Sequence, residues 1–227
     1  MSNKIRLGLN YEQPIFYDLE TSGLDPAVHQ IIQIAAIHLP SGDTFESKVK
    51  FDLERASKEA LEINHYNADN WWQAITQEQA ATAFNQFCAD HTSVVRKSKK
   101  SGKPYSSACL IGYNNAHFDQ NFIDRLIDGQ KLFAKYDYRQ LDVHALAKWQ
   151  LPWLDDYSLT AMRDYFDLPV RNAHDALEDV KMTIDVAACL IEIMAESKTF
   201  EMPGWASHRL ECFDEIKKLD AEDDIPF

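Results

Sequence analysis

The sequence predicts an α/β fold with a mixed sheet, and three features carry that reading. An apolar strand opens the chain after Pro14 (Ile15, Phe16, Tyr17) and closes in the turn residues Thr21, Ser22 and Gly23. A second apolar run, 29–39, leads into Pro40, Ser41, Gly42 and Asp43, which make a hairpin turn, so the sheet starts antiparallel. From residue 107 strand and helix patterns alternate, which calls for helical crossovers and parallel neighbours.

Each element follows from its pattern. In the 29–39 run Ile31, Ile32, Ile34 and Ile37 suit a central strand, and Gln33 among them needs a partner; residues 44–51 read as the returning strand. Residues 57–63 read as a short helix. Residues 70–90 read as a longer one whose apolar face includes Trp72, Ile75, Ala80, Phe84 and Phe87, with Trp72 in the core. Residues 91–107 break the pattern: Arg96, Lys97, Lys99, Lys100 and Lys103 surround Gly102 and Pro104 in a basic loop. It is either a solvated connection or an arm that touches a phosphate backbone. A strand over 107–113 then leads into a helix ending near Asp128. Helices follow over 141–149 and, capped by Ser158, over 159–166. The longest helical pattern spans 172–197, with Val180, Ile184, Ala187, Ile191 and Met194 on one face.

At 227 residues the chain can bury a full core, and we expect one domain over 1–198 and an appendage over 199–227. No apolar run reaches the length of a membrane span, and the first eleven residues lack the apolar middle of a secretory signal, so a cytoplasmic location is expected. Cys88, Cys109, Cys189 and Cys212 are scattered and read as plain thiols. The formal charge of −13 argues against coating nucleic acid by bulk electrostatics. Part of that charge sits in the tail, where residues 211–227 hold seven acids against two lysines. Any phosphate binding must therefore be local.

The acids at the end of the first strand suggest how. Side chains alternate along a strand, so Asp18 and Glu20 project from one face while Leu19 turns the other way. Two such carboxylates repel unless a cation lies between them, and hard oxygen ligands suit magnesium or manganese. Taken alone, Asp-x-Glu also describes a strand ending in a polar turn. Asp119 after a later strand, and His174 with Asp179 at the last helix, add chemistry that a turn does not need.

The segments FYDLETSGLDP, GYNNAHFDQNF and NAHDALEDVKMT resemble, in order, the three motifs of the DnaQ-like DEDD-type 3'-to-5' exonucleases that carry a histidine in the third motif. Their wording is nearest to the nuclease domain of bacterial exonuclease I. The resemblance spans 14–194 and implies a ribonuclease H-like fold, a mixed sheet flanked by helices. It implies a hydrolase that releases nucleotides from the 3' end of single-stranded DNA, with RNA as the alternative substrate, and two Mg2+ (or Mn2+) ions as cofactors. By resemblance Asp18 bridges both metals, Glu20 and Asp179 complete the site that activates water, and Asp119 holds the second metal. His174 is the general base, since imidazole exchanges protons near neutral pH. Thr21 and Leu24 match positions that contact the terminal nucleotide, Leu24 as an apolar wedge. Asn115 is expected to hydrogen-bond near the scissile bond, and Phe118 to serve as core or as a substrate platform. Asn114 departs from the histidine common at its position, a change expected to touch substrate contacts more than chemistry. Asp175 and Glu178 are read as solvated helix-start charges.

The last residues form a second motif. Asp223, Asp224, Ile225, Pro226 and Phe227 resemble the C-terminal tip of bacterial single-stranded-DNA-binding protein. A terminal aromatic can fill a pocket while its carboxylate and the preceding acids meet a basic rim, so proteins that bind that tip are expected partners. The alternatives are a solvated acidic terminus, or a tail-presenting adaptor rather than an enzyme.

Overall fold

The computed structural model describes residues 13–92, 94–99, 101–172 and 174–196. The elements run β1 (Pro14–Thr21), β2 (Ile31–His38), β3 (Asp43–Lys48), α1 (Lys58–Ile63), α2 (Gln77–Asp90), β4 (Val94–Lys97), β5 (Pro104–Ser107) and β6 (Cys109–Gly112). Then come α3 (Asp119–Gly129), β7 (Leu141–Asp142), α4 (Val143–Gln150), α5 (Leu159–Tyr165) and α6 (Ala176–Glu196). Five strands form one mixed sheet in the order β3-β2-β1-β6-β7. The first three are antiparallel, and β6 and β7 run parallel to β1. β1 is thus central, and the chain departs from its two sides: a hairpin to one, a crossover to the other. Ligands of open α/β sheets collect at the strand ends where such a switch occurs.

The core forms because β1 is apolar on one face and α2 and α3 are amphipathic. Ile15, Tyr17 and Leu19 join Ile31, Ile34, Phe84, Leu110, Ile123 and Ile127 in one buried cluster, and the Tyr17 ring meets Phe84 at 6.3 Å. Truncating a residue such as Phe84 to Ala in this setting costs about 3–5 kcal/mol. Thr76 and Gln79 close a capping box at the start of α2. Gln33 finds its partner in Glu46, 3.2 Å away across the β2–β3 pair.

Several expectations need correction. The helix expected over 70–90 starts only at Gln77, because Ala68–Trp71 is a separate 3-10 turn. Trp72 is 76% exposed and not core; its neighbour Trp71 is the half-buried one and packs on Tyr66 at 5.0 Å. The basic loop is the β4–β5 hairpin, and its Arg96 is spent on buried Asp137 at 2.6 Å. The strand expected over 107–113 is divided at Ala108 between β5 and β6. Residues 141–142 pair with β6 before α4 begins. On α6 the buried line runs Val180, Thr183, Val186, Ala187 and Leu190, offset from the expected face, and Met194 is exposed.

Cys88, Cys109 and Cys189 are free thiols. No helix of the described residues is long and apolar enough to cross a membrane. Cys212, the boundary at 198/199 and the tail residues Asp223, Asp224, Ile225, Pro226 and Phe227 lie outside the described residues.

Candidate active site

The site begins where β1 ends. A register shift between Glu20 and Thr21 closes the ladder with β2. The following loop is tied down: the Thr21 hydroxyl donates to the Gly23 carbonyl at 2.9 Å, and the Ser22 amide to Gln30 O at 2.8 Å. Gly23 has φ +156°, and a Cβ there would come within 2.4 Å of the His29 ring, so only glycine fits. The outcome is a fixed loop with Leu24 at its tip, 81% exposed. Glu20 is 8% exposed and Asp18 is half-buried.

The second contribution comes from the end of β6. Gly112 packs so closely on the next turn that a Cβ would lie 2.7 Å from Asn115 Cβ. The 3-10 turn Asn115–His117 then delivers Asp119, 5% exposed, as the first residue of α3. Asn114, in the left-handed region at φ 57°, donates its amide to Asp142 Oδ1 at 2.9 Å. The same carboxylate caps α4 by accepting from the His144 amide at 2.9 Å.

The third contribution is the lead into α6. His174 is not in the helix but before it, at φ 61°, a backbone state that costs a non-glycine residue on the order of 1 kcal/mol. Its amide donates to Asp179 Oδ2 at 3.2 Å. A ring nitrogen of His174 and carboxylate oxygens of Glu20 and Asp179 lie within 4.8 Å of one another. Strand β1 and helix α6 therefore meet on these three side chains. Asp175 accepts from the Leu177 amide at 3.2 Å, and Glu178 pairs with Lys181 at 2.6 Å and Arg171 at 3.6 Å. Both are half-buried and partnered rather than the solvated charges expected.

The electrostatics of the cluster favour a cation. Burial raises the Asp18 carboxyl well above its usual range, and the charges of Asp119, Glu20 and Asp179 push it further. Burial, then Asp179 and Asp119, lift Glu20 to about 8. Burial, aided by Asp142, lifts Asp119 to about 7, and burial also raises Asp179. Among the described residues no lysine or arginine forms an ion pair with any of the four. Buried carboxylates that repel one another and lack cationic partners, with oxygen as the donor atom, fit divalent ions of the magnesium class.

The other expected site residues are placed differently. Thr21 is buried beneath the loop that shows Leu24. Asn115 is fully buried, with its Nδ2 donating to Gln140 Oε1 at 2.8 Å. It therefore buttresses the turn from within rather than facing a nucleotide. Phe118 is half-buried and stacks on Phe122 at 5.1 Å, which favours its core reading. Two residues went unread in the sequence. Asp142 gave no motif, only a helix-cap position that is visible once α4 is known to start at Val143. Arg171 lines a cleft with Ser158, Thr160, Arg163, His174 and Asp179, and only its short distance from His174 could have drawn notice.

Comparison with known proteins places these features. The family model described as Exonuclease (RNase_T) matches residues 15–101, a span that holds Asp18 and Glu20 but stops before Asp119. A PolC-type DNA polymerase III of Thermotoga maritima is 27% identical over 183 residues, covering 79% of this chain but only 12% of that protein. Ribonuclease T of Wigglesworthia glossinidia brevipalpis is 26% identical over 210 residues, covering 85% of this chain and 88% of that one. A zinc-bound complex of E. coli exonuclease I with single-stranded DNA superposes with a TM-score of 0.63 at 19% identity, covering 83% of this chain and 42% of that one. The chain thus spans a small fraction of the polymerase and less than half of exonuclease I.

Proposed function

We propose that the chain is a DnaQ-like 3'-to-5' exonuclease and that it releases nucleotides from the 3' end of single-stranded DNA by hydrolysing the terminal phosphodiester. One observation carries the reading: four carboxylates with no lysine or arginine paired to them among the described residues, from β1, α3 and α6, gathered with one exposed histidine.

Asp18, Glu20 and Asp179 would hold one Mg2+ or Mn2+ ion, and Asp18 with Asp119 a second. When bound, such ions activate water and stabilise the attacking and leaving oxygens of an in-line displacement. The chain's own residues do the rest. His174, at the solvent edge of the cluster, takes the proton of the attacking water, and the bond from its amide to Asp179 fixes the backbone from which the imidazole reaches in. Leu24, held out on the glycine-pinned loop, wedges against the terminal base. Arg163 and Arg171 line the cleft beside His174, but Arg163 is paired with Asp164 and Arg171 with Asp185 and Glu178.

The single-stranded DNA in the exonuclease I complex supports DNA as the substrate. The similarity to ribonuclease T, which extends over most of that protein's length, supports RNA as the second reading. A gel time course on 5'-labelled DNA and RNA strands of one sequence separates them. A ladder that shortens from the 3' end on DNA is expected. A ladder on RNA alone would transfer the enzyme to the ribonuclease branch. The tail ending Asp223, Asp224, Ile225, Pro226, Phe227 we assign to docking on proteins that accept an acidic, aromatic-terminated peptide. Deleting Phe227 should abolish such capture and leave hydrolysis intact.

A further inference from the structure

The far end of β1 holds a second cluster that hydrolysis does not use. His38 closes β2 opposite Ile15, five residues from Glu20 and so about 17 Å along the strand. Asp43 opens β3 just after the turn, and His91 is the C-cap of α2. One ligand atom from each of the three lies within 4.8 Å of the others, and the two imidazole rings are 4.1 Å apart.

The hydrogen bonds leave a positive charge missing. His91 Nδ1 sits 2.9 Å from the Phe87 carbonyl oxygen. A carbonyl can only accept, so Nδ1 carries the hydrogen, and in a neutral ring Nε2 is a bare lone pair. That lone pair lies 2.9 Å from Asp43 Oδ2, another acceptor, so an additional proton or a cation must be shared between them. His38 adds a second ring anchored through Nδ1, here by a hydroxyl that can donate or accept. Its Nδ1 is bonded to Ser41 Oγ at 2.8 Å, while Nε2 is buried without a hydrogen-bond partner on a residue only 4% exposed. Imidazoles that ligate a metal through one nitrogen are generally fixed by a hydrogen bond on the other, as both rings are here.

We propose that His38, Asp43 and His91 form a second metal site, separate from the exonuclease centre, that takes a zinc-like divalent ion. Two imidazoles and one carboxylate favour such an ion over magnesium, which prefers all-oxygen shells. A tetrahedral ion with bonds of about 2.0–2.2 Å needs its ligands roughly 3.3 Å apart. The His91–Asp43 pair nearly meets that spacing, and Asp43, being exposed, is free to swing inward. Water would take the fourth position from the Asp43 side. The bound ion clips the end of α2 to the β2–β3 turn, a contact between elements 48 residues apart in sequence.

The test uses the full-length chain stripped with chelator, with Co2+ as the spectroscopic probe and Zn2+ for stability. Wild type and Asp18→Ala should both develop the visible d–d absorption of a tetrahedral site, and both should gain Tm with zinc. Added to the Asp18→Ala background, Asp43→Ala or His91→Ala should abolish the absorption and the Tm gain, with zinc affinity down by at least about tenfold. Asp43 is exposed, so its variant folds even if His91→Ala does not. If zinc binding vanished in Asp18→Ala and persisted in Asp43→Ala, or if wild type bound no zinc, the second site would not exist.

Discussion

Asp137 and Asp119 are both aspartates almost removed from water, 3% and 5% exposed, and the chain treats them in opposite ways. Asp137 is saturated. Its Oδ2 accepts from Arg96 Nε at 2.6 Å, and its Oδ1 from the Arg139 amide at 2.9 Å and from Arg139 Nε at 3.4 Å. Burial would raise its pKa, but these bonds outweigh burial and hold it below the ordinary value. Asp119, together with Asp18 and Glu20, has no such partner among the described residues, and burial carries all three upward. Where a buried carboxylate serves the fold, the sequence supplies its own cation. In the proposed centre no such cation is supplied among the described residues, and that is what an ion from solution would provide.

The largest effects should separate the two sites. Asp18→Ala should lower hydrolysis on the order of a thousandfold or more without lowering Tm in chelator, since it removes a repelling charge. Asp137→Ala should do the reverse. It removes the carboxylate that Arg96 and Arg139 share and costs about 2 kcal/mol, less than a fully buried pair because both arginines reach solvent. Chemical denaturation and activity per folded molecule, measured on both variants, check the contrast.

A smaller effect distinguishes them by pH. Glu20 and Asp119 have folded-state values of about 8 and about 7 against ordinary values of 4.5 and 3.8. The folded, metal-free chain therefore keeps protons that the unfolded chain releases. The stability so gained is complete below the ordinary values and is lost as pH rises through 7 to 8. In chelator, Tm should fall between pH 6 and 8, and saturating Mg2+ should flatten that slope. Asp137 works the other way, stabilising at neutral pH and losing its contribution as pH falls through its lowered value. The same linkage requires Mg2+ to displace protons at pH 7, which calorimetry in two buffers of different ionisation enthalpy would register. A buffer-independent heat would contradict it.

Leu24→Ala should have the smallest effect: an exposed tip residue leaves Tm unchanged, while KM for single-stranded DNA rises several-fold and kcat holds.

What could be read in advance followed the range of the physical signals. Period-two alternation put Asp18 and Glu20 on one strand face, and turn chemistry ended β1 and joined β2 to β3, because those are local rules. Asp142 was missed because β7 is only two residues long and takes its strand character from pairing with β6. Trp72 was misread because helical spacing was extended through a 3-10 turn, which shifts every face that follows. The basic loop stays open in sequence between a solvated connection and a phosphate-touching arm, because the partner of Arg96 lies 41 residues away. The left-handed backbone of His174, whose amide meets Asp179 at the start of α6, is a turn that no residue spacing records.

The most direct test of the carboxylate cluster as a hydrolytic metal centre is a gel time course on 5'-labelled single-stranded DNA. Wild type and Asp18→Ala are compared, each in Mg2+ and in chelator. A ladder receding from the 3' end with wild type in Mg2+, and none in the other three lanes, is the predicted result. Full activity in chelator, or in Asp18→Ala with Mg2+, would contradict the account.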